Sequence, residues 1–257
     1  MEPIKRRVWE AALAQLALDY NAQPQDFLVP GVTVTAAKAL PGRRQYQQGA
    51  PFFQMATTGK GAVITAQESL REPLQAWAQG VEAGHWLLEY PRLRQVEDLL
   101  VPQGWKLRGT HHMYLPAREF SSHLPQGFSY RWYDRESMKS FYPNHAWPNA
   151  LLEEENPLRP DVIALGAFHR GELVALAGAS ADGETLWQVG IDVLPEYRSR
   201  GLGKALVEAL CAKIAELGRV PFYGTAAANL HSQNIAVSCG FFPAWVEVSS
   251  QRVEDTP

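Results

Sequence analysis

Arg198, Arg200, Gly201, Gly203 and Lys204 stand within seven residues, and residues of these types at this spacing suit the binding of an anion. The guanidinium and ammonium groups supply charge, and the glycines let backbone N–H groups come close to a ligand. The flanking elements set those groups in place. Upstream, Trp187-Gln-Val-Gly-Ile-Asp-Val193 reads as a strand, because Val189, Ile191 and Val193 are β-branched and recur at every second position. Downstream, Leu206, Leu210, Ile214 and Leu217 are spaced four, four and three apart and predict an amphipathic helix. A strand that turns through glycines into a helix leaves N–H groups unpaired at the helix start, where the dipole adds about half a positive charge. The natural guest is a phosphate or pyrophosphate.

Three glycine-loop types compete for this stretch. A nucleotide triphosphatase loop needs Gly-Lys-Ser/Thr, and Ala205 follows Gly203-Lys204. A dinucleotide fingerprint needs a third glycine where Leu206 stands. The pattern Arg198-x-x-Gly201-x-Gly203, after a strand ending near Val193 and Pro195, resembles the GNAT (GCN5-related) acyltransferases. Asn229, Ser232 three residues on, and Gly240-Phe241 eleven on resemble the fourth helix of that family and its exit. Asn229 suits a helix cap and Gly240 a helix end. From about Pro148 to Ser250 the chain is similar to a bacterial branch with an extra N-terminal region; the first half matches only loosely.

The resemblance implies an α/β (α+β) acyl-CoA acyltransferase fold with a mixed, mostly antiparallel sheet. It implies acetyl-CoA as co-substrate and transfer of the acetyl group to the primary amine of a small molecule or peptide. In that reading Ile191, Asp192 and Val193 pair with the pantetheine arm, and Val193 offers N–H and C=O groups. Arg198, Ser199, Arg200, Gly201, Leu202, Gly203 and Lys204 take the pyrophosphate, and Asn229, Ser232 and Asn234 face the CoA from the other side.

Composition narrows the remaining classes. The 257 residues allow one large or two smaller domains, and 46% apolar with 20% charged residues suits a globular chain. A net charge of −3 gives no general attraction to nucleic acid or anionic membrane. No apolar run approaches the ~20 residues of a membrane span, and no secretory leader is read. Cys211 and Cys239 offer neither a disulfide framework nor a metal spacing, so a cytoplasmic, reduced, metal-free protein is expected.

Before the anion turn, the pattern predicts a helix over 3–20 and a strand at 32–35. The polar Arg43–Gln48 stretch reads as loop. A hairpin follows around Thr58-Gly-Lys-Gly61, with helices over 67–78 and 92–100 and a strand over 106–115. His111 and His112 point to opposite faces of that strand and cannot easily chelate one ion. Pro116–Gly127 is the linker candidate, giving an N-terminal mixed α/β region at 1–125 and an acyltransferase domain at 126–257. The N-terminal region reads as a degenerate copy of the same fold or as a dimerisation platform, which makes a homodimer an expected partner. In the second region a strand at 128–133, a helix capped by Asp134, a loop at 143–149 and a short helix at 150–155 precede strands at 161–168 and 173–181.

Amine acetylation needs donor and acceptor held together, a base for the amine proton and a donor at the thioester oxygen. Asp192, a carboxylate in an apolar strand, and Glu184 are the base candidates, with His145 and His231 as further ones. Alternation places Asp192 with Gln188 and Gly190, opposite Val189, Ile191 and Val193. Burial there would raise its pKa toward that of a general base; the bland alternative is an acid hydrogen-bonded to a loop. Many relatives carry a tyrosine seven residues after the Asn, where this chain has Ala236. Water, Tyr223 or Ser232 must then protonate the departing thiolate. A second reading is an acyl-CoA-binding sensor or scaffold without turnover.

Overall fold

The computed structural model describes residues 3–46 and 48–255; Gln47, in the polar stretch read as loop, lies outside the described residues. In chain order the elements are α1 (Pro3–Tyr20), β1 (Val32–Ala36), β2 (Phe53–Thr57), β3 (Ala62–Ala66), α2 (Glu68–Trp77), α3 (Tyr90–Leu100), β4 (Trp105–Leu107) and β5 (His111–Pro116). They continue with β6 (Ser129–Asp134), α4 (Arg135–Met138), β7 (Asp161–His169), β8 (Glu172–Ser180), β9 (Leu186–Val193), α5 (Leu202–Glu216), β10 (Val220–Ala226), α6 (Leu230–Ser238) and β11 (Phe241–Arg252). The sequence reading places one cut between 125 and 126. By contacts the chain forms two compact units, each discontinuous in sequence: residues 1–11, 114–224 and 230–242 form one, and 12–113, 225–229 and 243–257 the other.

In the first unit β6, β7, β8 and β9 are joined antiparallel in sequence order, and β10 adds parallel to β9. Val189 and Ile191 face α5 and bury with Leu202, Leu206, Leu210 and Ile214. Leu217, read as part of that stripe, lies past the helix end and is exposed, because the helix closes at Glu216. Asp134 caps α4 as expected, its carboxylate accepting from the Ser137 N–H at 2.9 Å.

The helix expected over 150–155 does not form. The amides of Asn149 and Ala150 donate to the Asp192 carboxylate, and that of Leu152 to Asp161. Asn144 accepts from the Trp147 N–H and donates to the carbonyls of Trp147 and Leu151. Donors and acceptors that a helix would have used are thus taken by side chains, and 143–160 is a chain of turns.

In the second unit β1 pairs parallel with β3, and β2 joins β3 and β11 antiparallel, with β4 also on β11. The hairpin around Thr58–Gly61 forms as read. The strand expected over 106–115 is two strands, β4 and β5. Arg43 and Arg44, read as polar loop, are buried. The Arg44 guanidinium sits between Asp19 (2.5 Å) and Glu247 (2.8 Å) and lies over the Trp245 ring. A run of two arginines looks solvated until the partners, 25 and 203 residues away, are brought to it.

Candidate acyl-CoA site

β9 is bonded to β8 as far as Val193 but to β10 only as far as Val189. From Gly190 to Val193 one strand edge has no partner in β10, so an extended ligand arm can take its backbone groups. The chain then makes a 3-10 turn at Pro195–Tyr197 and enters the anion turn. Ser199 (φ 59°) and Gly201 (φ 75°) are left-handed. That conformation costs a serine about 1–2 kcal/mol, strain of a kind that clusters at ligand clamps. Gly201 is the N-cap of α5, and the amides of Leu202, Gly203 and Lys204 open the helix without acceptors inside it.

Arg198, Ser199, Arg200 and Lys204 are exposed at this spot, while the Leu202 side chain is buried and can offer only its amide. Arg198 Nε donates to the Val193 carbonyl at 2.9 Å, so that carbonyl, expected to meet the pantetheine, already has a partner. The Arg200 guanidinium lies 5.5 Å from the Tyr197 ring centroid, and the Tyr197 hydroxyl is 3.0 Å from His169 Nδ1. Gly203 does not have positive φ; a Cβ there would reach 3.3 Å from Val193 Cγ2 and 3.6 Å from Ile191 Cγ1. Its bareness keeps the space between strand end and helix start open. Charged groups, open amides and a cradle that a side chain would narrow together fit a pyrophosphate.

The other expected residues distribute unevenly. Ser232 on α6 meets Tyr223 on β10, Oγ to hydroxyl 3.3 Å. Burial pushes the Tyr223 hydroxyl up to about 12, so it keeps its proton at neutral pH. Asn234 is exposed and, two residues from Ser232, points away from it. Asn229 immediately precedes α6, is exposed and belongs to the other compact unit. Ala236 is fully buried.

Asp192 lies on the face away from α5, as alternation requires, but it is half-buried rather than buried. Its carboxylate accepts from Asn149 N–H (2.8 Å), Asn149 Nδ2 (2.5 Å) and Ala150 N–H (2.9 Å). Gly178 and Gly190, cross-strand partners, make room for this turn: a Cβ on either would collide with the carbonyl of Ala150 or Asn149. Glu184 is exposed in the turn before β9, and the strand from Leu186 to Asp192 sets the two apart by roughly 20 Å at 3.3 Å per residue. The structure does not bring the two together. His145 is exposed beside Glu153, with Nδ1 3.6 Å from Oε1. Sequence reasoning missed Asp161, a buried acid opening β7; a carboxylate heading an apolar strand was its only signal.

Residues 128–241 match the acetyltransferase (GNAT) family. A search among curated proteins finds no match. Among solved structures, a Drosophila protein is similar over 98% of this chain and 88% of its own, at 18% identity and a TM-score of 0.51. A GCN5-related N-acetyltransferase-like protein from Streptococcus suis covers 79% of this chain and 82% of its own, at 18% identity and 0.46. An acetyltransferase from the GNAT family from Colwellia psychrerythraea covers 57% of each chain, at 16% identity and 0.42. The chain thus spans little more than half the length of the Colwellia structure.

Proposed function

We propose, from the premise that residues 128–241 form a domain of the acetyltransferase (GNAT) family, that the protein is an acetyl-CoA-dependent N-acetyltransferase acting on a primary amine of a small molecule or peptide. The observation that carries this reading is the turn from Arg198 to Lys204, set between a strand with an unpaired edge and the open amides of α5. The pyrophosphate takes the turn, and the pantetheine lies along Gly190–Val193. Bound acetyl-CoA supplies the thioester; the chain supplies position, worth about 7–11 kcal/mol of the barrier in favourable cases. Asp192 holds the 149–150 turn over the opposite face of the sheet and so shapes the side from which the amine arrives. Its three donors support a positioning role. Relatives with a helix tyrosine have it where this chain has Ala236; Tyr223, on β10 and hydrogen-bonded to Ser232, is the hydroxyl that can return a proton to the departing thiolate in its place.

The test is calorimetric titration with CoA beside thiol release from acetyl-CoA with a panel of amines. Gly203→Val is expected to weaken CoA at least tenfold with little change in melting temperature, since no positive φ is lost there. Unchanged affinity would remove the turn as the pyrophosphate site. The second reading, an acyl-CoA-binding module without turnover, draws on Ala236, and it predicts CoA binding without thiol release for any amine.

A further inference from the structure

In the second unit β1 pairs with β3 on one side and, among the described residues, with no strand on the other. The Ala62 N–H donates to the Gly31 carbonyl, and the Ala37 N–H to the Ala66 carbonyl. Backbone groups that face a parallel partner alternate along a strand. Thr33 and Thr35 therefore turn theirs to β3, and Val32, Val34 and Ala36 turn theirs outward. Both ends of this outer edge are closed. Asn21 Nδ2 donates to the Ala36 carbonyl (2.9 Å), and the Gly31 N–H donates to the Glu82 carbonyl (2.7 Å). Between them Val32 and Val34 present two N–H and two C=O groups with no hydrogen-bond partner among the described residues. The strand Val-Thr-Val-Thr-Ala has no lysine, proline or other charge to block pairing with a further strand.

Beside this edge lies a groove of about 590 Å³, walled by Val32 and Val34, by Gln75 and Ala78 at the end of α2, and by Val81 and Glu82. Val32 and Val34 pack on the cluster that holds Leu70 and Leu74 of α2, so their side chains lie on the α2 face. A strand laid along the edge would send every second side chain into the groove, because cross-strand neighbours share a face. The groove favours a cation. Glu82 is exposed, and its carboxylate has no partner among the described residues. α2 ends at Trp77, where its dipole adds about half a negative charge, and no lysine or arginine lines the groove.

We propose that this edge binds an extended, basic segment of a partner protein by strand addition. The segment's backbone pairs with Val32 and Val34. The stem of a lysine or arginine lies on Val32, Val34 and Ala78, and its head reaches Glu82 and the end of α2. The closed ends leave a seat of about three residues, roughly 10 Å at 3.3 Å per residue. That length suits a short segment better than the whole β1 of a second copy. Peptide binding here does not depend on the acyl-CoA reading.

The experiment is calorimetric titration of the full chain with acetyl-Val-Thr-Lys-Thr-Val-amide, whose valines and lysine fall on one face of a strand. The controls are the same peptide with glutamate for lysine, and the lysine peptide with every backbone nitrogen methylated. The lysine peptide is expected to bind, the glutamate peptide to bind severalfold more weakly, and the methylated peptide not to bind. Val34→Pro removes an outward N–H and no β1–β3 bond, and edge strands tolerate proline. It should weaken the lysine peptide about tenfold with melting temperature unchanged. Glu82→Gln keeps the backbone contact to Gly31 and should narrow the gap between the lysine and glutamate peptides. No binding of the lysine peptide, equal binding of the methylated one, or wild-type affinities in both variants overturns the seat. A wild-type dimer in sedimentation that Val34→Pro makes monomeric also overturns it and assigns the edge to a second copy. If Val34→Pro lowers the melting temperature, Glu82→Gln decides, and an unchanged gap between the peptides overturns the basic segment.

Discussion

At the scale of single residues, the burial of Tyr223 has a measurable consequence. Its hydroxyl titrates near 12 in the fold against about 10 in an unfolded chain. Between these values the native state holds the proton that the unfolded state has lost, so stability is whole below pH 10 and falls as pH rises toward 12. Two units correspond to about 2–3 kcal/mol. Tyr223→Phe should flatten the alkaline limb of a melting-temperature profile and remove one raised step from the tyrosinate absorbance titration. A limb unchanged by the substitution would place the alkaline loss elsewhere. Asp192 gives a second residue-scale expectation. As a positioning group it should leave the shape of the kcat/KM pH profile intact in Asp192→Asn while the amine KM rises and CoA affinity holds. Loss of the acid limb in that variant would make it the base after all.

At the scale of elements, the turn at 148–152 lies on the sheet only because Gly178 and Gly190 are bare. Gly190→Ala is expected to lift the turn from Asp192, at a cost of roughly 1–3 kcal/mol for overpacking. Urea unfolding measures that cost, and the amine KM should rise with it. A Gly190→Ala protein with wild-type stability and amine KM would show that the turn can move without consequence.

At the scale of the molecule, the second unit is secured by charge as well as by apolar packing. Asp19→Ala removes the carboxylate at Arg44 Nε and leaves Glu247 as the ion-pair partner of the buried guanidinium. Breaking a buried pair in this way costs about 3–5 kcal/mol, and the denaturation midpoint should shift down accordingly. A shift under a fifth of that size would mean that water reaches Arg44 in the variant. Among the described residues, no helix is long and apolar enough to cross a membrane.

The strand, turn and helix around 198–204 were legible in the sequence because their determinants are local: β-branched alternation, glycines and the helical stripe all fall within thirty residues. The order of strands from 128 onward was legible for the same reason, with the helices apart from that expected at 150–155, as was the side of the sheet on which Asp192 lies. Only the tertiary structure decided what that side holds. The donors to Asp192 come from 42 and 43 residues away, and they replace a helix that local propensity favoured at 150–155. Asp161, Ser180 and Gln188 come into one row across β7, β8 and β9 through strand register, which no single stretch contains. Arg44 is buried for a like reason: a charge can leave water only where distant partners meet it, and such meetings are properties of the fold.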